Sequence, residues 1–125
     1  MAVPRILVAL PLLALGVFLP AAGASPKAPP ANTLGMVHED FAVDSVTVRC
    51  GDTLTMVNDS RFIHIIGAGR DGLVVDTDGV PVRGLHMMET NAVYQTYKWN
   101  TAGTFYLTCS VHPDMTVKVV VTKCA

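Results

Sequence analysis

The sequence predicts an all-β domain, a Greek-key β-sandwich of about seven to eight strands, on three observations. Apolar residues alternate with polar ones at period two in several windows, the pattern of a strand with one face buried. Turn residues break those windows at short intervals. No window carries a 3.6-residue apolar stripe flanked by capping residues, so helical and α/β architectures find no support.

The first 24 residues stand apart from this pattern. Arg5 supplies a short positive start, Ile6 to Leu19 is apolar but broken by Pro11 and Gly16, and Ala22-Gly23-Ala24 is a small-x-small cleavage pattern. That is the layout of a secretory signal peptide. The run is too short and too broken for a membrane span, which needs about 20 apolar residues. Residues 1–24 are therefore expected to be a cleaved leader, with an uncleaved N-terminal anchor as the alternative. Residues 25–33 contain Pro26, Pro29 and Pro30 and read as a proline-rich linker; residues 34–125 are the folded domain. The expected location is secreted or periplasmic, outside the cytoplasm.

Cleavage after Ala24 leaves 101 of the 125 residues, enough for one core. It removes one of nine basic residues, so eight stand against ten acidic ones and the net charge is −2. No basic patch exists, which argues against nucleic acid as a partner.

The strands follow in order. Val46 and Val48 alternate with Ser45, Thr47 and Arg49; the Gly51-Asp52 turn follows; Leu54 and Met56 then alternate with Thr53 and Thr55. "FIHIIGAG" is a short apolar run closed by glycines. "AVYQTYKWN" places Val93, Gln95, Tyr97 and Trp99 on one side. "GTFYLTC" places Phe105, Leu107 and Cys109 on one side, and "TVKVVVTK" does the same for Val117, Val119 and Val121. Residues 67–84, rich in glycine and aspartate, read as turns.

The chemistry lies in "CSVHPDM". Its strand delivers the Cys109 thiol to the core face, and the turn after it offers the His112 imidazole and the Met115 thioether. A fourth donor must come from elsewhere. His64, in the apolar run of "NDSRFIHII", is the natural candidate, because neighbouring strand ends of a sandwich meet at one pole. Two imidazoles, a thiolate and a weak axial thioether form the donor set of a blue-copper electron-transfer site.

These residues resemble the small cupredoxins, the family of plastocyanin, pseudoazurin and amicyanin, over roughly residues 34–121. The C-x2-H-x2-M spacing from Cys109 to Met115 resembles amicyanin's short ligand loop. "GTFYLTC" is similar to the family's G-x-Y/F-x-Y/F-x-C strand, and "VRCGDTLTMVNDSRFIH" to the segment that runs to its first histidine. The resemblance implies a cupredoxin-like fold and one type 1 copper held by His64, Cys109, His112 and Met115. It also implies electron transfer through the second loop histidine, with redox donor and acceptor proteins docking near His112, Val111 and Pro113. Two positions depart from the family. Ile65 stands where many members have an asparagine that ties the ligand loops together, which implies a less rigid site. Asp114 puts a carboxylate beside His112 and Met115, as an electrostatic influence or a competing oxygen ligand.

Three cysteines are an odd number for an oxidising compartment. A Cys50–Cys124 disulfide leaves Cys109 free for a metal, since the strand ending at Cys50 and the last strand are expected neighbours. Strand parity argues the other way, because Cys124 shares a side with Lys118 and Thr122; a bulge or frayed end would have to bring the two together. The alternative is a free Cys124 that pairs between chains.

Several other motifs have plainer readings. His86 beside Met87 and Met88 could offer a second soft-metal site but reads better as a loop histidine, and His38 reads as solvated. "GAGRDG" has the letters of a dinucleotide fingerprint without the following helix, and "DTDG" lacks most of a calcium loop. Asn58-Asp59-Ser60 is a glycosylation sequon. The whole therefore reads as a monomeric, non-enzymatic shuttle of single electrons. A copper delivery or storage protein, a copper enzyme with an open coordination position, and a metal-free structural sandwich are the alternatives.

Overall fold

The structure, a computed structural model, describes residues 32–125 and Gly23. The expected leader, apart from Gly23, and residues 25–31 of the linker lie outside the described residues. No helix among the described residues is long and apolar enough to cross a membrane.

The described chain is all-β. Its strands are β1 (Thr33–Val37), β2 (Asp40–Phe41), β3 (Ser45–Val48), β4 (Thr55–Asn58), β5 (His64–Arg70), β6 (Leu73–Val74), β7 (His86–Met88), β8 (Val93–Gln95), β9 (Gly103–Cys109) and β10 (Thr116–Val121). Two of the ten, β2 and β6, are two-residue pieces, which accounts for the excess over the strands visible in the sequence. One sheet runs β2-β1-β4-β8; the other runs β3-β10-β9-β5-β6, with β7 also paired to β5. Both are mixed: β1 lies parallel to β4, and β3 parallel to β10.

Alternation fills the space between the sheets. Leu34 and Met36 of β1, Met56 of β4, Ile66 and Ala68 of β5, Leu107 and Cys109 of β9, and Val117, Val119 and Val121 of β10 are all buried in one core. Period two breaks down after β8. Val93 and Tyr97 are exposed, at 65% and 80%, so they do not share the side of fully buried Trp99. The strand ends at Gln95, and the chain then turns inward: Thr96 Oγ1 accepts from Leu54 N–H (3.0 Å) and from Trp99 Nε1–H (3.1 Å). The Trp99 N–H donates to the Asp52 carbonyl at 2.8 Å. These bonds, not the strand alternation, set the tryptophan against Phe105 at 5.9 Å between ring centroids.

The glycine and aspartate motifs form turns. In "GAGRDG" the end of β5 folds back on β6, and at Gly69, with φ +142°, a side chain would strike the Leu73 carbonyl. In the loop holding "DTDG", Asp76 Oδ1 accepts the Gly84 N–H at 2.7 Å. The sequon asparagine Asn58 is fully buried, so the folded chain offers no site there for a glycan.

Cys50 and Cys124 form a disulfide, with Cα atoms 5.1 Å apart. Parity did not prevent it, because both residues lie beyond their strands: β3 ends at Val48 and β10 at Val121. The parallel pairing of Val48 with Val121 brings the two chain segments together, and the free ends accommodate the one-residue mismatch. The bridge closes a loop spanning 74 residues of separation. On loop-closure entropy its loss should destabilise the fold by about 4 kcal/mol. A Cys50→Ser, Cys124→Ser double variant is therefore expected to unfold at markedly lower urea concentration than the parent in equilibrium titrations, with an m-value no smaller than the parent's because its unfolded chain is less constrained.

Candidate metal centre

β5 and β9 pair antiparallel, with Ile66 opposite Cys109. Side chains alternate, so His64, two residues before Ile66, lies on the same inner face and diagonal to Cys109. Both side chains are completely buried. The loop beyond β9 is closed by its own main chain. Cys109 N–H donates to the Met115 carbonyl at 3.1 Å, and Met115 N–H donates to the His112 carbonyl at 2.9 Å. Thr108 Oγ1 donates to the same Met115 carbonyl at 2.9 Å.

This turn carries His112 back over the thiol. His112 Nδ1 is 3.5 Å from Cys109 Sγ, and the His64 and His112 rings are 5.0 Å apart between centroids. Donor atoms of His64, Cys109 and His112 lie within 4.8 Å of one another. Met115 is fully buried where the loop re-enters the sandwich, immediately before β10. The pole thus gathers the three nitrogen and sulfur donors expected from the sequence, with the methionine buried at the closing end of the same loop. Among the described residues no carboxylate joins the cluster; Asp114 is exposed and outside it.

The tie expected from an asparagine at position 65 is supplied by the main chain. Ile65 N–H donates to Cys109 Sγ at 3.4 Å, and the Ile65 carbonyl accepts from Ser110 N–H at 2.9 Å. The other two histidines lie outside the cluster. His86 stacks on Tyr94 at 3.6 Å, and its methionine neighbours face opposite ways: Met87 is 58% exposed and Met88 buried, so "HMM" offers no common chelating face. His38 is exposed in the turn after β1.

Three contributors carried no sequence signal. Glu39 approaches from that same turn and places Oε1 3.7 Å from His112 Nε2. Asn58 and Ser60 stand behind His64, with Ser60 Oγ 2.9 Å from His64 Nε2. Burial holds the His64 pKa below the ordinary 6.5, and the nearby His112 lowers it further, while the His38 carbonyl and Glu39 pull the other way. His64 is therefore a neutral ring at physiological pH, the form that binds metals. Its Nδ1 is buried without a hydrogen-bond partner. An unsatisfied buried polar atom is unfavourable by about 1–3 kcal/mol. Beside a buried thiol and a second imidazole, the ligand that relieves it is a metal with affinity for nitrogen and sulfur. The residues present fit a type 1 copper.

No family model matches the chain. It is 33% identical over 89 residues to a plastocyanin from Scenedesmus fuscus, an alignment covering 66% of this chain and 84% of that protein. Among solved structures, amicyanin from Paracoccus versutus superposes with a TM-score of 0.59 at 26% identity, over 78% of this chain and 85% of that one. A purple cupredoxin from Nitrosopumilus maritimus shares the fold, with a TM-score of 0.56 at 18% identity, over 72% and 98%. The chain belongs to the cupredoxin family of small blue copper proteins, whose members are electron-transfer proteins.

The neutral state of His64 has a consequence for the metal-free chain. An unfolded histidine takes up its proton near pH 6.5, whereas buried His64 does so only at lower pH. Between the two the unfolded state binds more protons, so stability falls as pH drops through 6.5 and below. The urea midpoint of metal-free protein is expected to be lower at pH 5.5 than at pH 7.5, and the difference to shrink in His64→Gln. An undiminished difference in that variant would place the effect on another group.

Proposed function

We propose that this cupredoxin carries single electrons between redox proteins outside the cytoplasm, using one copper held by His64, Cys109, His112 and Met115. The observation that supports this most is the buried thiol facing two imidazoles within 4.8 Å, one of them with an unpartnered ring nitrogen. Copper bound there supplies a one-electron Cu(II)/Cu(I) couple. The Cys109 thiolate and the Met115 thioether are soft donors that favour Cu(I), and the imidazoles serve both oxidation states. The Ile65 N–H and the closed loop hold the thiol in one position, which limits how far the donors rearrange when the charge changes.

Burial assigns different roles to the histidines. His64 is sealed in the core and cannot meet a partner. His112 is 18% exposed and flanked by exposed Val111 and Pro113, with the Phe62 ring edge-on at 6.1 Å. Electrons enter and leave at the His112 edge, and donor and acceptor dock in turn on this apolar surface through small, brief contacts. With four protein donors the metal would have no open position for a substrate, which supports a carrier over an enzyme. The secretory-type leader and the Cys50–Cys124 bridge both support an oxidising, extracytoplasmic location.

Cu(II) titration of the purified domain is expected to give an intense blue thiolate-to-copper absorption with narrow copper hyperfine splitting, saturating at one equivalent. Cys109→Ala and His64→Ala should abolish the band, whereas Met115→Ala should keep the copper and shift the reduction potential. A colourless protein that binds only Cu(I), or one that reduces Cu(II) while forming disulfide dimers, would overturn the carrier reading in favour of copper delivery.

A further inference from the structure

Behind His64 lies a buried polar network whose hydrogen-bond directions can be read from the identity of its atoms. Asn58, the last residue of β4, points Nδ2 at three carbonyl oxygens: Phe62 (2.8 Å), Met88 (3.0 Å) and Glu89 (3.0 Å). Carbonyls only accept, so an amide oxygen in that position would be repelled by all three. The amide orientation is thereby fixed, and Oδ1 faces Ser60. There it accepts the Ser60 N–H at 3.0 Å and lies 2.7 Å from Ser60 Oγ.

Two oxygens 2.7 Å apart need a proton between them. Asn58 Oδ1 has none, so the Ser60 hydroxyl donates. Its remaining capacity is as an acceptor, and it accepts the Phe62 N–H at 3.1 Å. Two other groups stand at Ser60 Oγ: the Phe62 carbonyl at 3.2 Å, which can only accept and is more distant than Asn58 Oδ1, and His64 Nε2 at 2.9 Å. With the hydroxyl proton committed to Asn58, His64 must be the donor, so the proton of the neutral ring sits on Nε2. Nδ1 is then bare, and it is the ring nitrogen that is buried without a partner.

We infer that Ser60, oriented by Asn58, is a positioning residue that fixes His64 as the Nε2–H tautomer before any metal arrives, leaving Nδ1 as a preformed ligand atom. Residues behind a metal-binding histidine commonly set its tautomer and ring orientation, and their loss typically weakens metal binding 10- to 100-fold. The serine hydroxyl relays the fixed orientation of a buried amide to the ring. The tautomer itself stands independently of copper; only its use rests on the function proposed above.

Long-range 1H–15N correlation spectra of metal-free protein at pH 8 test the inference directly. His64 is expected to show the Nε2–H pattern with an unprotonated Nδ1. Ser60→Ala should mix the two tautomers and weaken Cu(II) binding by about tenfold or more, and Ser60→Thr, which restores the hydroxyl, should return both readouts toward the parent. A wild-type spectrum with the proton on Nδ1 would overturn the inference even if Ser60→Ala fails to fold. So would a Ser60→Ala protein that keeps the pure Nε2–H pattern and the parent affinity, with the His38 carbonyl holding the proton in place of the serine. A correct tautomer together with no blue Cu(II) complex would instead sink the carrier reading and leave the role of Ser60 standing.

Discussion

The antiparallel register of β5 on β9, with Ile66 opposite Cys109, is the constraint on which the metal centre rests. It puts His64 and the thiol on one inner face. A slip of one residue would turn one of the two strands over and send either the imidazole or the thiol to the outside. The packing that forbids the slip is apolar. Ile66 and Leu107 are fully buried beside the site, and each is worth about 1.5–3 kcal/mol in the core. Exposing even one of them would remove a substantial share of the roughly 5–15 kcal/mol that holds a domain together. The same burial that stabilises the sandwich therefore also positions the donors.

Main-chain bonds then finish what the register begins. The loop from Cys109 to Met115 closes on its own amides, and Ile65 binds the thiol through its N–H and the next residue through its carbonyl. Because these are backbone groups, the side chain at position 65 is free to be an isoleucine without parting the two ligand segments. On the His64 side the opposite holds: a buried asparagine and serine supply the support, and their side chains are specific. Beside His112 the neighbour is an exposed carboxylate, with Glu39 Oε1 3.7 Å from the outer ring nitrogen. The two imidazoles thus sit in contrasting surroundings, one dry and hydrogen-bonded to a buried hydroxyl, the other partly open to solvent beside a carboxylate.

Much of the fold was legible because burial writes itself into period-two alternation. Alternation places the valines of β10 and the Phe105–Leu107–Cys109 side of β9, and the packed core agrees. The rule failed where a strand stopped. Alternation groups Val93 and Tyr97 with Trp99, but β8 ends at Gln95 and hydrogen bonds to Thr96 and Asp52 direct the indole inward. The same limit explains the disulfide: parity spoke against it, yet both cysteines lie past the last paired residue, where alternation no longer applies.

Strand periodicity and a short chelating spacing are local properties, so the all-β class, the soft donors of the Cys109–Met115 loop and the candidacy of His64 can be read along the chain. Which side chains serve those donors depends on how the sheets pack. Glu39, Asn58 and Ser60 reach the site from other turns and strands, and "Asn-Asp-Ser" reads in isolation as a surface sequon. Their contributions depend on distances across the pole and on the direction of each hydrogen bond. Both are fixed when the sheets pack together, and neither leaves a spacing in the chain.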